Sequence, residues 1–426
     1  MRPAVRSASF AGWIDPADAY ASLCGGSDAA FWLDSGPNAS TGTSYLGLAS
    51  EVVTGFDGPV LDWLQEQHRR ADALGWVGWL GYELRGETMG VPVPYVSRFP
   101  RAAWLRVDRA LAFDHATREV RALALDDASA RALVAEVADA PRRVEPVETP
   151  SGATATWAYD DATYLDLVRA CQGRIREGDA YQLCLTTEVS VDVSPDPLAT
   201  YLALRASSPT HHGALLRAGG VSLLSASPEQ FLSVTPDGVV TTSPIKGTRP
   251  RGADDDEDAR LRDELSASDK ERAENVMIVD LMRNDIARVS KPGTVGVTSL
   301  LAVESYAQVH QLVSTVRGEL LDGLDGIDAI RACFPAGSMT GAPKLSATQI
   351  LEGLEARARG VYAGAFGYVG LDGTVDLAMV IRSMVMDADG TTIGTGGGIT
   401  ALSVPEEELA EAKLKAAVLL EVLGVR

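Results

Sequence analysis

The sequence predicts an α+β protein, on three observations. Short β-type segments and long helical patterns are separated along the chain, no period recurs that would mark a solenoid, and 426 residues, 46% of them hydrophobic, suffice for one large or two fused domains. The first strong pattern is Gly75 to Met89, GWVGWLGYELRGETM, a strand and turn whose Trp76, Trp79 and Tyr82 are expected to pack a core. Residues 126 to 155 hold a short alanine-rich helical stretch followed by Pro, Arg, Glu, Gly and Thr, a break that divides the chain into 1–155 and 156–426. Beyond it, Ala180 to Val189, Val221 to Ser225, Phe231 to Thr235 and Val239 to Thr242 have β character. Asp269 to Val289 reads as a long helix capped by Ser266 or Ser268. A second begins near Pro405 and runs to Leu423, with Leu409, Ala412, Ala416, Leu419 and Leu420 on its apolar face.

Composition excludes several classes. Net charge is -20, with 58 Asp and Glu against 38 Lys and Arg, so a broad basic face for nucleic acid is not expected. A small anionic substrate would need a local basic pocket or a bound cation. Cys24, Cys171, Cys184 and Cys333 form no CxxC pair and read as buried apolar thiols in a reducing, cytoplasmic compartment. Asp15 and Asp18 interrupt the segment after Arg2 and Arg6, so no secretory signal is expected, and no run approaches the ~20 apolar residues of a membrane span. Lys246 precedes its glycine and Lys344 follows a proline, so neither lies in a Walker A loop, and ATP hydrolysis is rejected. There is no HExxH, GxSxG or EF-hand, no GxGxxG in a convincing setting, and the histidines lack zinc-site spacing.

Several segments can carry chemistry. Ser243 to Gly252, SPIKGTRPRG, sets Lys246 before a glycine turn bordered by arginines, where a lysine could act as a nucleophile. Glu271 and Glu274 are three apart on the long helix, and Glu408 and Glu411 repeat that spacing. Carboxylates from two helices are hard oxygen ligands suited to Mg²⁺, although such a pair is also what an exposed polar face looks like. Gly394 to Thr400, GTGGGIT, reads as a hairpin or close packing turn, or as backbone N–H groups open to an anion. Pro335 to Lys344, PAGSMTGAPK, reads as a loop with exposed backbone before a helix start, a plausible carboxylate cradle.

Taken together, PIKGTRPRG, KERAENVMIVDLMRNDIARV, FPAGSMTGAPK, Tyr362 to Gly370, Arg382 and GTGGGIT followed by the Glu411 helix closely resemble the chorismate-utilising enzymes, in order and spacing, over about residues 160 to 423. The resemblance implies the anthranilate-synthase-type fold, with large antiparallel sheets flanked by helices and the two stretches packed as one unit. Within the family, the chain resembles the branch that converts chorismate and ammonia to 4-amino-4-deoxychorismate. It implies Glu274 and Glu411 as Mg²⁺ ligands and Glu229 as the acid that protonates the departing C4 hydroxyl, a role needing a raised pKa. Lys246 matches the branch-specific lysine that attacks C2 before ammonia displaces it; simple electrostatic contact with substrate is its other reading. Thr248, Tyr362 and Arg382 match substrate contacts, with Gly397 and Gly398 as backbone donors. Lys415, four residues after Glu411, either contacts substrate or supports Glu411, or is an ordinary helix pair.

Two positions separate the neighbouring branches. Gln182 stands where salicylate and isochorismate enzymes carry a water-activating lysine, and glutamine cannot serve as that base. Gln311 stands where much of the family has histidine, with His310 one position earlier; adjacent strand residues point to opposite faces, so His310 takes its place only if the strand slips. The loss of a titratable group favours stopping before pyruvate is eliminated. No glutaminase nucleophile elbow is evident, so a separate glutamine amidotransferase subunit is the expected ammonia source. The alternatives are an anthranilate-forming enzyme and a non-catalytic scaffold on the same fold. Tryptophan binding between the N-terminal strands, seen in relatives, is a further option beside plain core packing.

Overall fold

Residues 3–138, 152–306 and 309–425 are described by a computed structural model. Alternation along its strands explains the layering. Phe31 joins a cluster with Trp79, Leu105, Leu216, Leu223 and Phe366, whereas its neighbour Trp32 packs with Leu46, Phe113, Tyr201, Leu215 and Leu224. Successive side chains leave opposite faces of a strand, so a sheet apolar on both faces must be covered twice. One cluster therefore fills the space between two sheets, and the others lie under helices on their outer faces.

The first sheet has twelve strands among the described residues. Its order is Arg6–Phe10, Glu119–Ala124, Arg109–Asp114, Thr43–Leu48, Ala30–Asp34, His212–Ala218, Val221–Ser227, Ser383–Asp387, Gly390–Ile399, Gln182–Val191 and Gly341–Ala342, with Ala155–Trp157 also on Gln182–Val191. The second has ten, in the order Ile245–Pro250, Val309–Glu319, Val239–Thr242, Gln230–Val234, Val375–Met379, Ala365–Gly370, Gly75–Leu80, Ala102–Val107 and Glu51–Val53, with Gly296–Ser305 also on Val309–Glu319. Neighbouring strands in both sheets run antiparallel. Strands from before and after residue 155 interleave: Ala30–Asp34 pairs with His212–Ala218, and Gly75–Leu80 with Ala365–Gly370.

The helices that matter to the site follow their sequence signals. Asp269–Ala287 starts at Ser268, whose hydroxyl accepts the Glu271 N–H at 3.4 Å, so Ser268 and not Ser266 is the cap. Pro405–Val422 begins with proline in its first turn and packs along Gly390–Ile399. Trp76, Trp79 and Tyr82 are core residues at 3%, 0% and 3% exposure, and all four cysteines are buried and free. The alanine-rich stretch is the helix Asp127–Ala138; residues 139–151 of the compositional break lie outside the described residues. Among the described residues no helix is long and apolar enough to cross a membrane.

One buried ion pair ties these layers together. Arg359 donates from Nε to Glu355 Oε2 at 2.8 Å and from Nη2 to Oε1 at 2.7 Å, both side chains being almost inaccessible. Its remaining N–H groups reach the carbonyls of Met339 (2.6 Å) and Cys184 (2.9 Å), and its guanidinium lies 4.3 Å from the centre of the Tyr82 ring. Glu355 Oε1 also accepts the Thr186 N–H and hydroxyl at 2.8 and 2.9 Å. Removing one partner strands the other's charge in the interior. Arg359→Met is expected to lose about 3–5 kcal/mol of stability in urea denaturation; a loss below about 1 kcal/mol, as for an exposed pair, would contradict this account.

Candidate active site

The site lies where the glycine-rich strand meets the two glutamate helices and the lysine turn. Gly394–Thr400 is no hairpin: Gly390–Ile399 is an interior strand, with Gly397 opposite Leu185 and Gly398 opposite Cys184. Its second neighbour, Ser383–Asp387, stops pairing at Ile393, which leaves the following glycines flanked on one side only. Each glycine makes room for something specific. A β-carbon at Gly394 would lie 2.0 Å from the Tyr362 ring, and one at Gly398 would lie 2.0 Å from Gln182 Nε2. At Gly397 it would lie 3.0 Å from Glu408 Oε2 and 4.0 Å from Glu411 Oε1, so both carboxylates of the C-terminal helix converge over that residue.

Opposite this wall, Gly247 takes φ +81°, a conformation that favours glycine, and a β-carbon there would meet Leu265 and Glu271. The turn sends Lys246 into the cavity. Glu229, Lys246, Thr248, Glu274, Tyr362, Arg382, Gly397, Gly398, Glu411 and Lys415 all line this one cavity of about 550 Å³. That volume is in the range of small-molecule sites. Glu271, Glu408, Lys270, Arg249, Cys184 and Gln311 line it as well. The spacing of Glu271 and Glu408 was visible in the sequence, but the burial of Glu408 and the partial burial of Glu271 were not. Lys270, adjacent to Glu271, carried no signal of its own.

Charges in the cavity are mixed and mostly paired. Lys415 Nζ lies 2.6 Å from Glu411 Oε1 and donates to the Gly396 carbonyl at 2.8 Å, so the helix pair is real and its ammonium is largely committed. Glu408 Oε1 accepts the Ser403 hydroxyl at 2.7 Å, with Lys270 Nζ 3.8 Å away, and Arg249 approaches Glu271 at 3.6 Å. Glu274 differs: its Oε1 is buried with no hydrogen-bond partner among the described residues, and burial, opposed by Lys246 and Lys270, raises its pKa. Burial also pushes Glu411 up, but Lys415, with Lys270 and Lys246, outweighs it and holds that carboxyl below its ordinary value. Lys246 makes no hydrogen bond or ion pair among the described residues. Arg382 sits at positive φ (51°) and reaches the Lys415 carbonyl at 3.4 Å.

One sequence reading changes here, and two other positions can be placed. Pro335–Lys344 is not an exposed cradle: most of it is buried, and Lys344 Nζ is consumed by Asp285 (2.5 Å) and the carbonyls of Cys333 and Pro335 (2.9 and 2.8 Å). His310 faces away from the cavity, bonded to Asp258 and Ser305 at 3.0 and 2.8 Å, while Gln311 lies opposite Thr248 and lines it, as strand alternation requires. Gln182 is buried against Gly398 beside the cavity wall.

Comparison with known proteins places the chain in a family. The model of the chorismate binding enzymes matches residues 28–421, and the chain belongs to that family. Aminodeoxychorismate synthase of Streptomyces griseus is 46% identical over 365 residues, covering 83% of this chain and 50% of that protein. Anthranilate synthase component 1 of Streptomyces coelicolor is 38% identical over 446 residues, covering 96% of this chain and 86% of that protein. The crystal structure of anthranilate synthase component I from Streptococcus pneumoniae TIGR4 superposes with a TM-score of 0.73 at 27% identity, over 97% of this chain and 93% of that one. The chain spans about half the length of the curated aminodeoxychorismate synthases it matches.

Glu229 gives a test of the site's electrostatics. Burial, opposed by Lys246, lifts its pKa to about 6 from an ordinary 4.5. The folded state thus holds this proton to higher pH than the unfolded chain, and the associated stability, full below 4.5, is lost as pH rises through about 6. Glu229→Gln removes that dependence. Relative to wild type, the variant should gain about 2 kcal/mol on going from pH 4 to pH 8, measured by denaturant unfolding. A difference between the two proteins that does not change with pH would refute the assignment.

Proposed function

We propose that this chain is the synthase component of an aminodeoxychorismate synthase, converting chorismate and ammonia to 4-amino-4-deoxychorismate for 4-aminobenzoate and folate synthesis. The observation that carries the reading is an uncommitted Lys246 in the same cavity as a buried Glu229 whose pKa is raised to about 6. Protonated Glu229 can donate to the departing C4 hydroxyl, which an ordinary carboxylate could not do near neutrality. In its neutral form the Lys246 amine bonds to C2 as both ring double bonds shift toward C4 and the C4–O bond breaks, releasing water. Ammonia then attacks C4, both double bonds shift back, the C2–N bond breaks to return the neutral lysine, and the proton shed by the new amine restores Glu229. Arg382 and the backbone beside Gly397 and Gly398 are suited to hold substrate carboxylates in the orientation this needs.

The carboxylates fit Mg²⁺. Glu274 and Glu411 would hold it, the unpartnered Glu274 Oε1 being an anionic ligand atom that no described side chain or backbone group satisfies. When bound, the ion would neutralise a substrate carboxylate that otherwise meets the glutamates of the cavity. Lys415 keeps Glu411 ionised and oriented.

Anthranilate formation is the second reading, favoured by the match to anthranilate synthase component 1 over nearly the whole chain. Gln311 opposes it, because an amide on the cavity wall cannot take a proton to drive loss of pyruvate. Ammonia from a separate glutamine amidotransferase, in the cytoplasm, completes the proposal.

Purified chain with chorismate, Mg²⁺ and excess ammonium should accumulate 4-amino-4-deoxychorismate, identified by mass and ultraviolet absorbance. Anthranilate would transfer the assignment to the second reading, and no turnover, even with a glutaminase supplied, would overturn both. Glu229→Gln should lower kcat by about 10²–10⁴-fold. A chorismate-derived adduct on Lys246, detected by mass spectrometry after quenching, should vanish in Lys246→Ala; amination at the wild-type rate in that variant would exclude covalent catalysis.

A further inference from the structure

We infer that Lys270 is a built-in counter-cation for the carboxylate cluster and competes with the divalent ion for it; the inference rests on the cation reading above. Glu271 and Glu274 come from one helix and Glu408 and Glu411 from another, and all line one cavity with Lys270. Charge by charge, three of the four have fixed neighbours. Glu411 has Lys415, itself anchored to the Gly396 carbonyl. Glu271 has Arg249, itself held by Glu264 at 3.0 Å, and Glu408 has the Ser403 hydroxyl. Lys270 is the loosely held member. Its Nζ stands 3.8 Å from Glu408 Oε1, an electrostatic approach beyond hydrogen-bond length, and its side chain is 51% exposed at the cavity mouth.

The location itself is unfavourable for a lysine. Lys270 is the second residue of the helix Asp269–Ala287, where the helix dipole disfavours a cation. What offsets this is the neighbouring negative charge: Glu274 lies one turn along the same helix face, with Glu408 and Glu411 across the cavity. In the cation-free protein the ammonium relieves their mutual repulsion. A divalent ion arriving at Glu274 and Glu411, beside Glu408, makes it redundant, and its flexible, half-exposed stem lets it swing to solvent. Affinity for the ion is thereby weaker than the cluster alone would give.

Calorimetric titration of MgCl₂ into the substrate-free chain tests this with wild type, Lys270→Met and Lys270→Arg, Lys270→Gln standing in for methionine if that variant folds poorly. Neutralising the side chain should tighten Mg²⁺ binding roughly fivefold, the worth of one ion-pair interaction of about 1 kcal/mol, while Lys270→Arg stays near wild type. Thermal unfolding in chelator should show the neutral variant melting below wild type, with MgCl₂ raising it more. Unchanged or weaker binding by the neutral variant, with wild type binding normally, overturns the inference alone. Absence of Mg²⁺ binding in every variant overturns the cation reading as well.

Discussion

The geometry of the cavity depends on the Glu355–Arg359 pair beneath it. Both of the guanidinium's terminal nitrogens and its Nε are occupied, and the bonds fall on three separate parts of the chain: the Glu355 helix end, the Met339 segment and the Cys184 strand. Met339 and Cys184 line the cavity floor. The backbone N–H groups of Arg359 and Gly360 donate to Glu83 at 2.8 and 3.0 Å, which fastens the Tyr82 turn to the same point. A buried ion pair rarely stabilises a protein more than apolar residues of the same volume. Here its directional bonds fix the relative positions of elements that apolar packing alone would let slide.

The glycine-rich strand is the second constraint. Glycine weakens a strand, since it has no side chain to pack and more backbone freedom to lose. Gly390–Ile399 tolerates several because Gln182–Val191 pairs with it along most of its length. In return the Tyr362 ring, the Gln182 amide and the Glu408 and Glu411 carboxylates come down to backbone distance. A wall made of ordinary strand residues would fill the cavity with its own side chains.

Electrostatics then sorts the carboxylates by charge state. Glu229 is surrounded by protein and its ionised form is disfavoured despite Lys246 nearby. Glu411 sits against Lys415 and is held ionised. Two glutamates in one cavity thus have pKa values pushed in opposite directions, the arrangement expected of an acid beside an anionic ligand group. The same chain is strongly acidic overall, yet Lys246, Arg249, Lys270, Arg382 and Lys415 gather here in equal number with the glutamates. Local composition, not net charge, decides what the cavity can hold.

The strands around 182–191, 221–227 and 239–242 and the helices Asp269–Ala287 and Pro405–Val422 were legible from periodicity and capping residues, because those signals act within a few positions of one another. Motif order marked Lys246, Glu229, Glu274 and Glu411 as site candidates. Other features were not legible. GTGGGIT read as a hairpin or close packing turn, or as backbone open to an anion, until Gln182–Val191 lay beside it as a strand partner, and Lys344 could be a ligand group until Asp285 and two carbonyls took its ammonium. Lys270 joined the site only when the helices met, and Arg359 gave no sign of being the hub. By itself, then, the sequence determined the local elements and the choice of candidate groups. Tertiary structure alone decided which of those groups share a cavity and which are used up in holding it open, because burial and pairing depend on residues far apart in the chain.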